Sequence, residues 1–207
     1  GDVSQTIAEW ERRAVVSPAV KRDAVAQFRR CYADPAVQAL LARPAGKVDL
    51  WREQRFELML EDGHWVRGAM DRVVVHLDPA GRPTRAAIID YKSGRSDRST
   101  SWSAERILEP HLPIYAALVN DEVAAVVFAK VLLDKPGSAG VADEKDILPG
   151  VQGIGDDKQK IFDPAEFPDW IAVITHWRER LHAVAKEVKQ GQAGVMFADE
   201  KALQYCE

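Results

Sequence analysis

The sequence predicts an α/β fold in which helices flank a central mixed β-sheet. Three observations carry this expectation: helical periodicity before residue 46, strand alternation broken by turn signals over residues 48–92, and a β-branched apolar run after residue 122 that lies between two helical stretches. The implied order is helices, three strands, helix, strand, helix.

Residues 3–43 carry apolar side chains at helical spacing, with Val3, Ile7, Trp10 and Ala14 on one stripe and Ala24 or Val25, Phe28 and Tyr32 on another. Asp34-Pro35 looks like a cap followed by a first-turn proline, which starts a short helix ending near Leu41. Pro44-Ala45-Gly46 closes the helical section. The stretches WREQRFELML and HWVRGAMDRVVVHL then read as two strands around Asp62-Gly63, a pair favoured in the turns that match strand twist. The turn DPAGRP leads into a third strand, TRAAIIDYKSG.

A helix is expected from about Pro110 to Asn120, because proline is tolerated only in a first turn. VAAVVFAKVLL follows as a strand. Residues 135–160 hold five of the 13 glycines and many charges, and are read as a mobile loop. Trp170, Ile174, Trp177, Leu181, Val184 and Val188 alternate at spacings of four and three, so the last element is a long helix ended by Gly191. We therefore expect residues 1–45 to be a helical segment packed on a core formed by residues 46–207. That core carries a flexible insertion at about 135–160 and a long C-terminal helix.

Composition excludes several classes. The 207 residues are 46% hydrophobic and 29% charged, enough for a core. No apolar run approaches the roughly 20 residues of a membrane span, and the first residues have no apolar signal stretch. Two cysteines 175 positions apart make no disulfide framework, so a cytoplasmic location is expected. A net charge of −4 argues against a general nucleic-acid coat protein, although an acidic metal site inside a basic rim is compatible with it.

The chemistry concentrates in Asp90-Tyr91-Lys92. Alternation along a strand puts Asp90 and Lys92 on one face and Tyr91 on the other, directly after the apolar Ile88-Ile89. Asp71 lies in the middle of the preceding apolar strand, where an unpaired carboxylate is costly. Neighbouring strands would bring the two aspartates together, and converging carboxylates invite Mg²⁺ or Mn²⁺. The bland reading pairs Asp71 with Arg72 or Arg67, and Asp90 with Lys92, as structural ion pairs. For an isolated Asp-x-Lys that reading is the better one.

Four motifs in order shift the balance. Glu53-Gln54-Arg55-Phe56, Gly68-Ala69-Met70-Asp71-Arg72-Val73, Ile88-Ile89-Asp90-Tyr91-Lys92-Ser93-Gly94 and His111-Leu112-Pro113-Ile114-Tyr115-Ala116 together resemble the RecB-like branch of the PD-(D/E)XK nucleases. The motifs cover roughly residues 50–120, and the order of elements agrees to about residue 190. The resemblance implies a restriction-endonuclease-like sandwich and metal-dependent DNA cleavage. It is nearest to the C-terminal nuclease region of AddB-like bacterial repair proteins, through LHAVAKEVKQGQAGV as well as the motifs.

The resemblance also assigns roles. Asp71, Asp90 and the Tyr91 carbonyl would bind Mg²⁺ or Mn²⁺, Lys92 would act on the attacking water and the transition state, and Glu53 would complete the acidic cluster through water. His111 and Tyr115, at i and i+4, would contact DNA or the lysine, with Arg95 and Arg98 beyond the site steering phosphate. His111 stands where the family usually has glutamine, and a surface histidine is the alternative. No histidine precedes His64, so the family's upstream histidine ligand is missing or lies outside this chain. Two cysteines cannot hold a four-thiolate iron–sulfur cluster, so none is expected in this chain, and Cys31 reads as a buried small hydrophobe. Trp10, Trp170 and Trp177 are assigned to packing; Trp65 and Trp102 are open to base stacking, with packing the favoured reading.

The expected function is thus a deoxyribonuclease domain in bacterial recombination or repair, an exonuclease partnered with a helicase domain or subunit, since no phosphate-binding loop of a motor occurs. The rivals are an inactive DNA-binding or scaffolding domain of the same fold and a CRISPR-associated RecB-like nuclease.

Overall fold

A computed structural model of the chain describes residues 5, 8–9, 12–13, 17–59, 65–94, 98–119, 122–132, 136–145, 147–148 and 151–192, with positions 36, 58, 65, 66 and 119 described by backbone alone. The expected stripe of Val3, Ile7, Trp10 and Ala14, the Asp62-Gly63 turn, Arg95 and Cys206 lie outside these residues.

Helix α1 runs Pro18–Ala33, started by the Ser17 side chain, which accepts from the Val20 N–H, and by a proline in its first turn. Asp34 ends it and caps α2, Pro35–Leu41, by accepting from the Val37 N–H at 3.3 Å. Cys31 is buried, and its thiol donates to the Leu132 carbonyl at 3.3 Å, which ties α1 to the chain beyond the fourth strand.

Strands β1 (Val48–Met59), β2 (Trp65–Leu77) and β3 (Pro83–Lys92) form an antiparallel meander. The β2–β3 turn follows its sequence: Asp78 accepts from the Arg82 N–H at 2.9 Å, and Gly81 takes a φ of 84° that side chains disfavour. A 3-10 turn, Ser99–Ser103, and helix α3, His111–Val119, form the crossover to β4, Val123–Lys130, which lies parallel to β3. β4 is buried along almost its whole length, the reason it reads as an unbroken apolar run.

The segment expected as a flexible insertion at 135–160 is a correction. It supplies β5, Gly137–Ala142, antiparallel to β4, and the short β6, Gln152–Gly153, parallel to β5. Two of its glycines serve packing: a Cβ on Gly140 would lie 2.3 Å from the Val126 carbonyl oxygen, and one on Gly153 would lie 2.7 Å from the Lys145 nitrogen. A glycine–alanine strand of this kind has low strand propensity, so its character comes from the neighbour it fits. Among the described residues the sheet has six strands in the order β1-β2-β3-β4-β5-β6.

One face of the sheet packs Ile88, Val126 and Phe128 under α3, the 3-10 turn and α4, Trp170–Lys189. The other packs Val74, Ala87, Ile89 and Val127 against Leu40 of α2. Asp169 caps α4, and Trp170 and Trp177 lie on its buried stripe. Both indoles satisfy their N–H groups, Trp170 on the Val123 carbonyl at 2.7 Å and Trp177 on the Trp102 carbonyl at 3.0 Å. No helix among the described residues is long and apolar enough to cross a membrane.

His176 on α4 lies edge-on to Phe167, with centroids 5.1 Å apart. Burial lowers its pKa, opposed in part by hydrogen bonding to the backbone at Ala104. His76 is lowered in the same way, by burial and by Arg85. A depressed histidine binds its proton more readily in the unfolded chain, so stability is full above the ordinary value of 6.5 and falls as pH drops below it. Denaturation midpoints should therefore fall between pH about 7.5 and about 5.5, and His176→Gln should flatten that slope. An equal slope in the variant would show that His176 does not contribute.

Candidate active site

The β2–β3 ladder runs in register as far as Arg72 opposite Ile89. The next pair along would be Asp71 opposite Asp90, and there the ladder stops. The Asp71 carboxylate occupies the opening and accepts the Tyr91 N–H at 2.8 Å. A strand residue directs its N–H and C=O to the same neighbour, so the Tyr91 carbonyl also faces this opening. On the β1 side the ladder is interrupted at the same level, between Arg52 opposite Arg72 and Gln54 opposite Met70. Glu53 lies there with a left-handed φ of 49°. Asp71 thus stands where both flanking ladders part.

The two ion pairs proposed for Asp71 do not form. Arg72 is buried on the opposite face and donates to the Ala42 carbonyl at 2.8 Å, while Arg67 pairs with Glu57 at 3.1 Å. Asp90 does pair with Lys92: Oδ2 is 3.1 Å from Nζ. Yet this buried oxygen has no donor aligned on it in hydrogen-bond geometry. Burial raises the Asp90 pKa, and Asp71 adds to the rise, against the pull of Lys92. For Lys92, burial acts downward but is outweighed by Asp90 and Glu109, so the net direction is up.

Lys92 has two further contacts. Its Nζ is 3.2 Å from Glu109 Oε1 and 4.8 Å from the centroid of the Phe128 ring. Glu109 did not stand out in the sequence. Its only local signal is its place before Pro110, two residues ahead of the helix motif.

The motif residues Phe56, Gly68 and Tyr115 form one packing unit behind the site. Phe56 pairs with Gly68 across β1 and β2, and a Cβ on Gly68 would lie 2.6 Å from the Phe56 ring. That ring stands edge-on to Tyr115, centroids 5.4 Å apart. Tyr115, expected to contact DNA or the lysine, is 9% exposed, its hydroxyl donates to the Ala69 carbonyl at 3.1 Å, and it feels the charges of Asp90, Asp71 and Lys92. It braces the strand segment that carries Asp71. One helical turn earlier, His111 is exposed, with Nδ1 3.6 Å from Glu109 Oε1. Arg98 is exposed at the start of the 3-10 turn, and Tyr91 points its ring away from the aspartate face. Trp102 is fully buried and packs on Phe128 and Trp177.

Among the described residues no group of three or more His, Cys, Asp or Glu side chains is arranged as a metal centre. Glu53 is exposed and is not drawn into the Asp71–Asp90 pair. That pair does fit a divalent cation. It offers carboxylate oxygens, a carbonyl facing the same opening and a buried Oδ2 without an aligned donor, and hard cations take oxygen ligands.

A mixed six-stranded sheet with helices on both faces is the restriction-endonuclease-like α/β architecture. The chain belongs to the PD-(D/E)XK nuclease superfamily, whose match spans residues 2–207. Members of that superfamily are typically metal-dependent nucleases and generally use divalent ions such as Mg²⁺. Comparison with curated proteins gives no significant match.

Proposed function

We propose that the chain is a Mg²⁺- or Mn²⁺-dependent deoxyribonuclease that hydrolyses phosphodiester bonds. The observation that carries this reading is the buried Asp90 Oδ2 without an aligned donor, 3.1 Å from Lys92 Nζ, at the level where the β2–β3 ladder stops beside Asp71. Asp71, Asp90 and the Tyr91 carbonyl hold the cation. When bound, such an ion supplies an acidified water and neutralises phosphate charge during in-line displacement. Lys92 Nζ orients the attacking water and offsets charge developing on the phosphate oxygens. Glu53 reaches the cluster through water. Arg98 and His111 bear on the phosphate backbone, a role that the resemblance also gives to Arg95, and Tyr115 sets the position of β2.

The finer reading is an exonuclease of bacterial recombination or repair, working in the cytoplasm beside a helicase domain or subunit. It rests on the four ordered motifs and on the resemblance of LHAVAKEVKQGQAGV to AddB-like proteins. A nuclease assay with single-stranded DNA across salt concentrations tests the activity, with Asp71→Ala as the blank. Metal-dependent cleavage is expected that falls steeply with salt, because cations leaving phosphate contacts dominate the affinity. Calorimetry with Mn²⁺ should show binding that is lost in Asp90→Asn. Equal Mn²⁺ affinity in the two proteins, or equal cleavage by the blank, would sink the assignment.

A further inference from the structure

Lys92 lies between two carboxylates at nearly equal distances, Asp90 Oδ2 at 3.1 Å and Glu109 Oε1 at 3.2 Å. On the reading above, Asp90 must turn its oxygens to a divalent cation. The same oxygen therefore faces two cations, the metal and the ammonium. A lysine with Asp90 as its one anion would compete for it, and would lose its anchor once the metal had bound.

Glu109 removes that conflict, and its backbone is held for the task from both sides. Trp102, fully buried between Phe128 and Trp177, donates its indole N–H to the Glu109 carbonyl at 3.0 Å. The Leu108 N–H donates to Ser101 Oγ at 3.0 Å, fastening the segment before Glu109 to the 3-10 turn. Pro110 restricts the conformation of the residue that precedes it. A carboxylate placed this firmly, three-quarters shielded from solvent and aimed at Nζ, is more than a surface partner.

We propose that Glu109 is a positioning residue for the proposed nuclease: it holds Lys92 so that Asp90 is free to bind the divalent cation. The lysine exchanges a shared grip on two carboxylates for a grip on Glu109 and the Phe128 ring, and stays within reach of the reacting phosphate. This rests on the metal-nuclease reading.

The test is calorimetry with Mn²⁺ on the wild type, Asp90→Asn, Glu109→Gln, Lys92→Ala and the Glu109→Gln/Lys92→Ala double variant. In Glu109→Gln the lysine leans wholly on Asp90, and Mn²⁺ affinity should fall about tenfold, as expected for loss of a hydrogen bond to a charged group. In the Lys92→Ala background the same change should matter by less than about twofold, because the competitor is gone. Equal weakening in both backgrounds would mean a general field or folding effect and overturns the proposal. Wild-type affinity retained in Glu109→Gln overturns it as well, leaving the metal site intact. A wild type that binds no Mn²⁺, or an Asp90→Asn variant that binds it equally, removes the metal reading and this proposal together.

Discussion

Lys92→Ala is expected to slow DNA cleavage about 10²–10⁴-fold, the usual loss when a positioned acid–base group is removed. Mn²⁺ binding should be at least as tight as in the wild type, because the alanine variant removes a cation 3.1 Å from Asp90 Oδ2, the oxygen proposed to bind the metal. The fold should survive, since Lys92 lies at the end of β3, where the Val131 N–H still reaches its carbonyl and β4 still pairs alongside. Single-turnover cleavage at saturating metal separates this from a binding defect. A variant that cuts as fast as the parent would leave the lysine without a role in the reaction.

Trp102→Ala should have the largest effect on stability. The indole is fully buried, its centroid 5.2 Å from Phe128 and 6.0 Å from Trp177. Removing a buried aromatic of this size costs about 3–5 kcal/mol, and the cost rises with the cavity left behind. The change also frees the Glu109 carbonyl, so activity should fall under conditions where the variant is still folded. Trp102→Phe separates the two effects. It keeps most of the ring packing and loses the N–H, so a smaller loss of about 1 kcal/mol is expected, with the effect on Glu109 retained. Chemical denaturation of both variants, read beside their cleavage rates in native buffer, provides the check. A Trp102→Ala protein as stable as the parent would contradict the packing described.

The meander β1–β3 and the aspartate–lysine face were legible because strand alternation is a local property. Ile88 and Ile89 fix the burial of β3, and side-chain period then sets Asp90 and Lys92 together. β4 was legible for a different local reason, its unbroken β-branched apolar run. The β5 strand was not, because Gly137, Ala139 and Gly140 carry no strand signal, and at Gly140 the residue answers to a carbonyl of β4. Tyr115 was placed on the correct helix, but the direction of its side chain was not legible. Helical spacing does not distinguish a side chain aimed at a ligand from one aimed at the next strand, and Phe56 and Gly68 decide that question here. Glu109 was invisible for a third reason. Its partner is 17 positions away, and the two meet only because the 3-10 turn folds Trp102 into the core between them. Metal binding by Asp71 and Asp90 remains the proposal made above, now resting on geometry as well as on motif order.

The left-handed Glu53 has a consequence for how the molecule behaves in a crowded solution. Among the described residues β1 is the outermost strand on its side of the sheet, and it is 12 residues long with Trp51 and Met59 exposed along it. A long flat strand in that position would offer its unpaired amides and carbonyls to any other extended chain. The turn of the backbone at Glu53 divides that edge into two shorter pieces, and Arg52, Glu53, Arg55 and Glu57 put charge along it. The distortion that frames Asp71 on the inside therefore acts on the outside as a guard against edge-to-edge aggregation.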